Sequence, residues 1–459
     1  MAIFNTDFST EEIHNFFTNA RKIFLLGIGG ISMSSIATLC AYLGKDVYGY
    51  DRVRSKECIK LEQIAHIRYY STPDNVSGMD MVIYTNAMSE DCFEYKRARE
   101  CGIPLLSRAN FLGYILSLYK NRIGVSGIHG KSTTTAMLGH IFEYACKNPT
   151  VFCGATMKEY QSSGKIGGRE WTIFEACEYE NSFLQLHPTE AVVLNIELDH
   201  PDFFKTENDV LLSFKEYIKG AGRVYINGDC PLCAQLQHPN LITVGFSKNC
   251  RYRAEIIYTE SSIRERKTQG SEFLIYKDNR LLSKCSLSLF GRHFVFDALC
   301  AISVACECGI DIEAAAEALS CFNGIERRME LIKITDTGRH IFEDYAHHPT
   351  EIKASLASLK ERGFKEILCV FQAHTYSRTY RLYSEFSCAF SQADELILAP
   401  IFPARETDDF SINQERLASD WGGMLIRDSC AIVDYIKKSR ADCVVLMGAG
   451  DIAKIKCYL

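Results

Sequence analysis

The stretch NRIGVSGIHGKSTTTAMLGHIF, Asn121 to Phe142, decides how the rest of the chain is read. An apolar strand-like run, RIGVS, meets a glycine-rich turn, and the turn leads into a segment from Thr133 to about Cys146 that reads as a helix. A turn of this kind points backbone N–H groups at phosphate oxygens. Lys131 then reaches a γ-phosphate, and the Ser132 hydroxyl is offered to Mg²⁺. The spacing departs from GxxxxGK[ST], because position 125 is Val and the first usable glycine is Gly127. ATP binding is the reading, and a Gly-rich loop with a solvent-facing Lys is the plain alternative.

On either side the same alternation recurs. KIFLLG (Lys22 to Gly27), a helix from Ser32 to Leu43 and DVYGYD (Asp46 to Asp51) form a β-loop-α-β opening, followed by MDMVIYTNAM (Met79 to Met88), a helix through Glu100 and GIPLL (Gly102 to Leu106). Further strands are predicted at WTIFEA (Trp171 to Ala176) and AVVLNI (Ala191 to Ile196), with a polar β-rich insertion from Arg251 to Leu289. The last third starts near Ile325, with strands at HIFEDY (His340 to Tyr345), EILCVFQ (Glu366 to Gln372), DELILAP (Asp394 to Pro400) and DCVVLMG (Asp442 to Gly448). A chain of 459 residues carries about three domains at about 150 residues each. The predicted boundaries are 1–119, 120–324 and 325–459.

Composition narrows the function classes. Apolar residues are 47%, charged residues 24% and Pro only ten, which excludes disorder and coiled coil. A net charge of -6 gives no electrostatic footprint for nucleic acid or an anionic membrane, so any anionic ligand must be held by local groups. No apolar run suits a membrane span, and MAIFNTDFST lacks the regions of a signal peptide; the expectation is a cytoplasmic protein without membrane insertion. The twenty Cys include a CxxC (Cys230, Cys233) and a CxC (Cys306, Cys308) with no second pair at zinc spacing, and they are read as small buried hydrophobes.

Three further groups could carry chemistry. In GIGGIS (Gly27 to Ser32) the loop can hold a pyrophosphate, with Asp51 where a ribose-binding acid would sit, but Ser32 replaces the third glycine of a dinucleotide fingerprint. The acidic strand ends FEACEYENSF (Phe174 to Phe183) and NIELDHPDFF (Asn195 to Phe204) supply hard oxygens for Mg²⁺; His200 is a further ligand or a capping residue. In the last third, ERRMEL, EDYAHHPTEI and FQAHTYSRT gather Arg328, His347, His348, His374 and Arg378 at strand ends, where α/β sheets place ligands.

With GIGGISMS, HGKSTTT, EACEYENSF, NIELDH, GRH (Gly291 to His293), ERRMEL, DYAHHPTEI, FQAHTYSRT and IFPARE (Ile401 to Glu406) in order, the chain resembles the Mur ligase family. The resemblance implies an α/β protein of three domains: a Rossmann-like UDP-binding domain, a central P-loop ATPase-type domain with the β-rich insertion, and a Rossmann-like C-terminal domain. It implies a branch that joins L-alanine to the lactyl carboxylate of UDP-N-acetylmuramate, with ATP and Mg²⁺, as a monomer or weak homodimer. A recycling ligase that adds a peptide to the same sugar nucleotide is the rival reading. A catalytically silent nucleotide-binding paralogue and an NAD-dependent oxidoreductase, the latter resting only on GIGGIS and Asp51, are lesser ones.

Carried over by motif, Lys131, Glu175, His200 and Arg328 would be catalytic, and Ser132, Glu175 and His200 would hold metal. Gly127, Ile128, His129, Gly130, Lys131, Ser132, Thr133, Arg328 and Asp344 would bind ATP. Gly27, Gly29, Gly30, Asp51 and Asn86 would hold the UDP-sugar, and Tyr345, His347, His374 and Arg378 would line the amino-acid pocket. The chain also departs from the family pattern. Cys177 and Tyr179 replace an Asp and a Ser, Phe294 and Asp297 replace adenine-positioning Asn residues, and Thr375 replaces an Arg. Phe294 is expected to stack on the base and Asp297 to accept from its amino group.

Overall fold

The computed structural model describes residues 8–86, 88, 91–200, 202–257, 270–408 and 412–459. The chain forms two compact units. The first comprises residues up to Ile196, Leu211–Thr243 and Val304–Ile310; the second comprises Glu197–Val210, Val244–Ser303 and Asp311–Leu459.

The first unit holds a five-stranded parallel sheet of β1 (Lys22–Leu26), β2 (Asp46–Tyr50), β3 (Ala65–Arg68), β4 (Met81–Tyr84) and β5 (Leu105–Ser107), in the order β3-β2-β1-β4-β5. Strand order reverses at β1, so the Gly27–Gly30 loop opens at the crevice where such sheets bind ligands. Gly27 adopts φ +79, and a Cβ there would lie 2.6 Å from Thr85 Cγ2; only glycine fits this turn.

The same unit holds β6 (Asn121–Ser126), β7 (Thr150–Met157), β8 (Ser162–Lys165), β9 (Trp171–Glu175), β10 (Glu190–Val193) and β11 (Arg223–Asn227), with strand order β11-β10-β6-β9-β7-β8. All pairings are parallel except β7 with β8. β6 is central and its burial rises to four consecutive buried residues, the mark of a strand covered on both faces. β3, β7, β8 and β11 were not predicted from the sequence. AHIR alternates half-buried and exposed residues, and SSGK has no apolar run, so neither carries a strand signal of its own.

The chain leaves the first unit within β12 (Leu241–Gly245), whose last two residues pair with β13 (Tyr252–Ile257) of the second unit, and β14 (Ser271–Lys277) and β15 (Arg280–Leu287) continue antiparallel. This is the predicted β-rich insertion; its residues 258–269 lie outside the described ones. The third sheet runs β16-β17-β21-β18-β19-β20, made of β16 (Glu330–Ile334), β17 (His340–Asp344), β18 (Ile367–His374), β19 (Glu395–Phe402), β20 (Met424–Leu425) and β21 (Cys443–Met447). Only β16 is antiparallel, so Asp344, His374 and Phe402 share one end. Among the described residues, no helix is long and apolar enough to cross a membrane.

Packing beneath the P-loop is tight. Gly124 on β6 faces Phe174 on β9, and a Cβ on Gly124 would lie 2.9 Å from the Phe174 ring and 2.4 Å from the Tyr217 hydroxyl. Phe174 is fully buried. Phe174→Ala is expected to cost about 3–5 kcal/mol, read as a lower midpoint in urea unfolding.

Candidate nucleotide and metal site

Register places the groups around the Gly127–Lys131 turn. Val125 pairs with Glu175 on one side and Ser126 pairs with Val193 on the other, so the strand ends beyond β9 and β10 flank the turn. On the β10 side, Asn195 clamps the loop: His129 N–H donates to Asn195 Oδ1 (2.8 Å) and Asn195 Nδ2 donates to the His129 carbonyl (3.0 Å). Gly127 (φ +133) packs against Leu194 and Asn195, and Gly130 (φ +83) starts the helix Lys131–Tyr144 from a left-handed conformation. The helix begins two residues before the predicted Thr133. Thr133 is buried in its first turn.

On the β9 side, Ser132 Oγ donates to Glu175 Oε2 (2.7 Å), and Gly154 N–H donates to the same oxygen (2.8 Å). A hydroxyl and a carboxylate side by side at a P-loop are hard oxygen donors, the set that Mg²⁺ takes while keeping several waters. Lys131 Nζ donates to the carbonyls of Gly127 (2.6 Å) and Ile128 (3.0 Å) and forms a 2.9 Å ion pair with Glu178, which is fully buried. Burial alone would lower the Lys131 ammonium, but Glu178, followed by Cys177 and Glu175, raises it above the ordinary lysine value. Lys131 is therefore charged. Burial first, then Glu178, pushes the Cys177 thiol up to about 11, so it stays protonated.

Glu178 and Asn195 were not among the predicted site residues, although FEACEYENSF and NIELDH contain them. Arg108 was also missed. It caps no motif, yet its guanidinium donates to Ser32 Oγ (3.2 Å) and its charge acts on the Cys177 thiol. In the first sheet Asp51 accepts from Gly29 N–H (2.9 Å) and Val53 N–H (3.1 Å), so it braces the glycine loop. A Cβ on Gly29 would lie 2.4 Å from Cys58 Sγ. Asn86 Nδ2 donates to Glu180 (3.0 Å), which joins the end of β4 to the acidic segment after β9.

The second unit gathers the remaining candidates. Arg378 and Asp199, both buried, pair through two contacts of 3.0 and 3.3 Å, and Arg378 Nη1 lies 3.3 Å from His374 Nδ1. Arg378 holds the Asp199 carboxylate well below the usual range against the opposing effect of burial. The His374 ring stacks on Phe402 (5.7 Å), its partner in the β18–β19 register, and faces His347 at 5.9 Å. Glu351 ties this end together by accepting from the His347 N–H (3.0 Å) and pairing with Arg328 (3.3 Å), whose guanidinium lies 5.0 Å from the Tyr345 ring. Asp344 accepts from Ser355 Oγ, and burial pushes its carboxyl up to about 6. Ser377 N–H donates to Glu406 (2.9 Å), fixing the turn at Thr375 (φ +68). Asp199, Glu351 and Glu406 lie in NIELDH, EDYAHHPTEI and IFPARE without having been singled out. His200, in the second unit with φ +51, lies 3.9 Å from Asp199. Phe294 and Asp297 are 3% and 5% exposed in the helix Arg292–Glu307, and Phe294 packs on His293. Both side chains are therefore core members in this conformation, and neither presents a face to solvent for a base.

Residues 22–120 match the Mur ligase family catalytic domain, 125–305 the Mur ligase middle domain and 327–450 the glutamate ligase domain of the same family. The chain belongs to the Mur ligase family. UDP-N-acetylmuramate--L-alanine ligase of Clostridium novyi is 36% identical over 95% of this chain and 96% of its own, and that of Acetivibrio thermocellus is 37% identical over 95% and 94%. Among solved structures, UDP-N-acetylmuramate-alanine ligase of Thermotoga maritima superposes with TM-score 0.81 at 25% identity, covering 95% of this chain and 97% of that one. A murein peptide ligase from Psychrobacter arcticus shares the fold (TM-score 0.70, 22% identity, 96% of this chain and 98% of that one). Mur ligase membership removes the oxidoreductase reading that GIGGIS and Asp51 alone allowed.

Two expectations follow from this site. A Cβ on Gly154 would lie 2.3 Å from Glu175 Oε2, the movable end of a side chain. Gly154→Ala is thus expected to leave the thermal midpoint nearly unchanged while displacing Glu175, read as a Mg²⁺ requirement for ATP turnover raised about tenfold. Burial lowers His347 to about 3 and His374 and His293 to about 4. Unfolded imidazoles titrate near ~6.5, so the unfolded chain binds more protons below that value. The stability these groups contribute is full above about pH 6.5 and is lost progressively as pH falls toward about 4. The melting midpoint is expected to drop between about pH 7.5 and 5.5, and to drop less in a His347→Gln/His374→Gln variant.

Proposed function

We propose that this chain is an ATP-dependent ligase that joins L-alanine to the lactyl carboxylate of UDP-N-acetylmuramate. The observation that supports it most is near full-length similarity, at 34–37% identity, to ligases of that name, in a chain whose Lys131, Ser132 and Glu175 converge at one strand end. The proposed division of labour follows segments 1–119, 120–324 and 325–459, holding the UDP-sugar, ATP with metal, and the amino acid.

A carboxylate does not condense directly with an amine, because its oxygen is a poor leaving group. Attack of the lactyl carboxylate on the ATP γ-phosphate gives an acyl phosphate and ADP. The amine of L-alanine then attacks the acyl carbon, loses a proton and expels phosphate. Two anions must meet in the first step, so cations are required where charge accumulates. Lys131, charged and held in place by Glu178 and two loop carbonyls, is the fixed cation for the γ-phosphate. Ser132 and Glu175 would hold Mg²⁺, whose chemistry is to neutralise the phosphate oxygens; His200 is the proposed ligand of a second ion. Gly27, Gly29 and Gly30, whose own N–H groups brace the turn, would leave room for the UDP pyrophosphate at the start of the helix Ile31–Tyr42, and Arg108 beside Ser32 adds a guanidinium fork. Arg328 and Asp344 would contact the nucleotide, and Arg378, His374, His347 and Tyr345 would receive the amino acid, the Arg fork suiting its carboxylate.

Phosphate release by the purified protein with ATP, Mg²⁺ and UDP-N-acetylmuramate tests the proposal, with L-alanine, glycine, L-serine and the peptide acceptor supplied separately. Turnover with L-alanine is expected. Turnover with the peptide alone would transfer the chain to the recycling branch, and none with any acceptor would mark a silent paralogue. Lys131→Ala is expected to lower turnover by about 10³-fold and, because Glu178 is left buried without its partner, to lower the thermal midpoint, while UDP-sugar binding to the folded protein persists. A near-normal rate in that variant would remove Lys131 from the mechanism.

A further inference from the structure

All twenty cysteines are free thiols, and they are not uniformly the small buried hydrophobes expected from composition: six are exposed and five intermediate. Among them, Cys230 and Cys233 are set apart by geometry. They lie in NGDCPLC, directly after β11, where a single helical turn closes with Ala234 N–H donating to the Cys230 carbonyl (3.0 Å) and Gln235 N–H donating to that of Leu232 (3.1 Å). Positions i and i+3 of such a turn share one face with Cβ atoms about 5–6 Å apart, so a disulfide, which needs about 3.5–4.5 Å, closes with a small tightening of the turn. The two thiols also differ in access, since Cys230 is half-buried and Cys233 is fully buried.

The turn is fastened to the strand extension that holds the P-loop. Asn227 Nδ2 donates to the Leu194 carbonyl (3.0 Å), and Cys230 Sγ lies 3.8 Å from the Ile196 carbonyl. Between those two residues stands Asn195, whose side chain clamps both backbone groups of His129.

We propose that Cys230 and Cys233 form a reversible dithiol–disulfide couple, with Cys230 oxidised first and Cys233 resolving it, and that closing the disulfide loosens the Asn195 clamp on the P-loop. The oxidant class is a peroxide. The Cys230 sulfur attacks one peroxide oxygen, the O–O bond breaks, and a sulfenic acid and water result. The Cys233 sulfur then displaces the sulfenic oxygen as a second water, forming the S–S bond. Two thiols are oxidised by two electrons and the peroxide is reduced. A cellular dithiol reverses the step by exchange. A hydrogen bond from the Cys233 side chain, foremost, lowers the Cys230 thiol to about 6 against the effect of burial, which raises its thiolate fraction near neutral pH. The bond brings both sulfurs to about 2.05 Å, tightens the turn around Pro231 and Leu232, and draws Cys230 away from Ile196.

The sequence supplies a clean readout: cleavage after Arg223 and Lys248 releases one peptide that contains Cys230 and Cys233 and no other cysteine. The full-length protein, reduced, treated with hydrogen peroxide while folded, then unfolded in guanidinium, blocked with iodoacetamide and digested with trypsin, is expected to yield this peptide unalkylated and two hydrogens lighter. Dithiothreitol should restore two alkylation sites. In Cys233→Ser the reaction should stop at Cys230 as a sulfenic acid captured by dimedone, and in Cys230→Ser the remaining Cys233 should stay alkylable. Amide exchange across Gly127–Lys131 should quicken about tenfold in the oxidised wild type, a coupling of ordinary size. Full alkylation of both sulfurs while exposed Cys101 and Cys321 are oxidised would overturn the couple. Dimedone capture at Cys233 of the Cys230→Ser variant would reverse the order, and unchanged exchange in the oxidised protein would refute the link to the P-loop. None of these readouts depends on the substrate proposed above.

Discussion

The Lys131–Glu178 ion pair is the constraint around which the nucleotide site is arranged. A lysine ammonium at 12% exposure has little water to solvate it, and the fully buried Glu178 carboxylate would be more costly still alone. Each is tolerable because the other is there and because the Gly127 and Ile128 carbonyls accept the remaining ammonium protons. The pair keeps Lys131 charged and its side chain extended along the loop before any phosphate arrives, which is preorganisation in the electrostatic sense. Removing Glu178 would leave a buried cation without its counterion.

That pair can exist only because the sheet register delivers its surroundings. β6 sits between β9 and β10, and pairing Val125 with Glu175 and Ser126 with Val193 brings an acidic strand end to one flank of the turn and Asn195 to the other. Shifting either neighbour by one residue would exchange inward and outward side chains and carry Glu175 away from Ser132. The second unit follows the same rule. The β18–β19 register sets His374 on Phe402, while the parallel order β17-β21-β18 gathers Asp344, Tyr345 and His374 at one end, with Arg378 and Asp199 as a second buried pair. Both sites therefore rest on a buried ion pair at the carboxyl end of parallel strands.

Much of this was legible in the chain. HGKSTTT announced the P-loop because its chemistry is local, made of a glycine turn, a Lys and a hydroxyl within six residues. The long apolar strands NRIGVS, EILCVFQ and DCVVLMG were legible because strands buried on both faces read as continuous apolar runs. SSGK and AHIR escaped, since edge strands draw their pairing from neighbours and not from their own composition. GRH suggests contacts for a base at Phe294 and Asp297, and what the sequence does not show is that both side chains are buried in the helix Arg292–Glu307.

The α/β plan, the phosphate loop and the family are written in the chain, because they depend on periodicity and on short motifs whose parts are sequence neighbours. Folding alone pairs Glu178 with Lys131, clamps His129 with Asn195, brings Arg108 to Ser32 and pairs Asp199 with Arg378. These partners are separated by 47, 66, 76 and 179 residues, and long-range ion pairs and hydrogen bonds are set by strand register and burial, which no local pattern encodes.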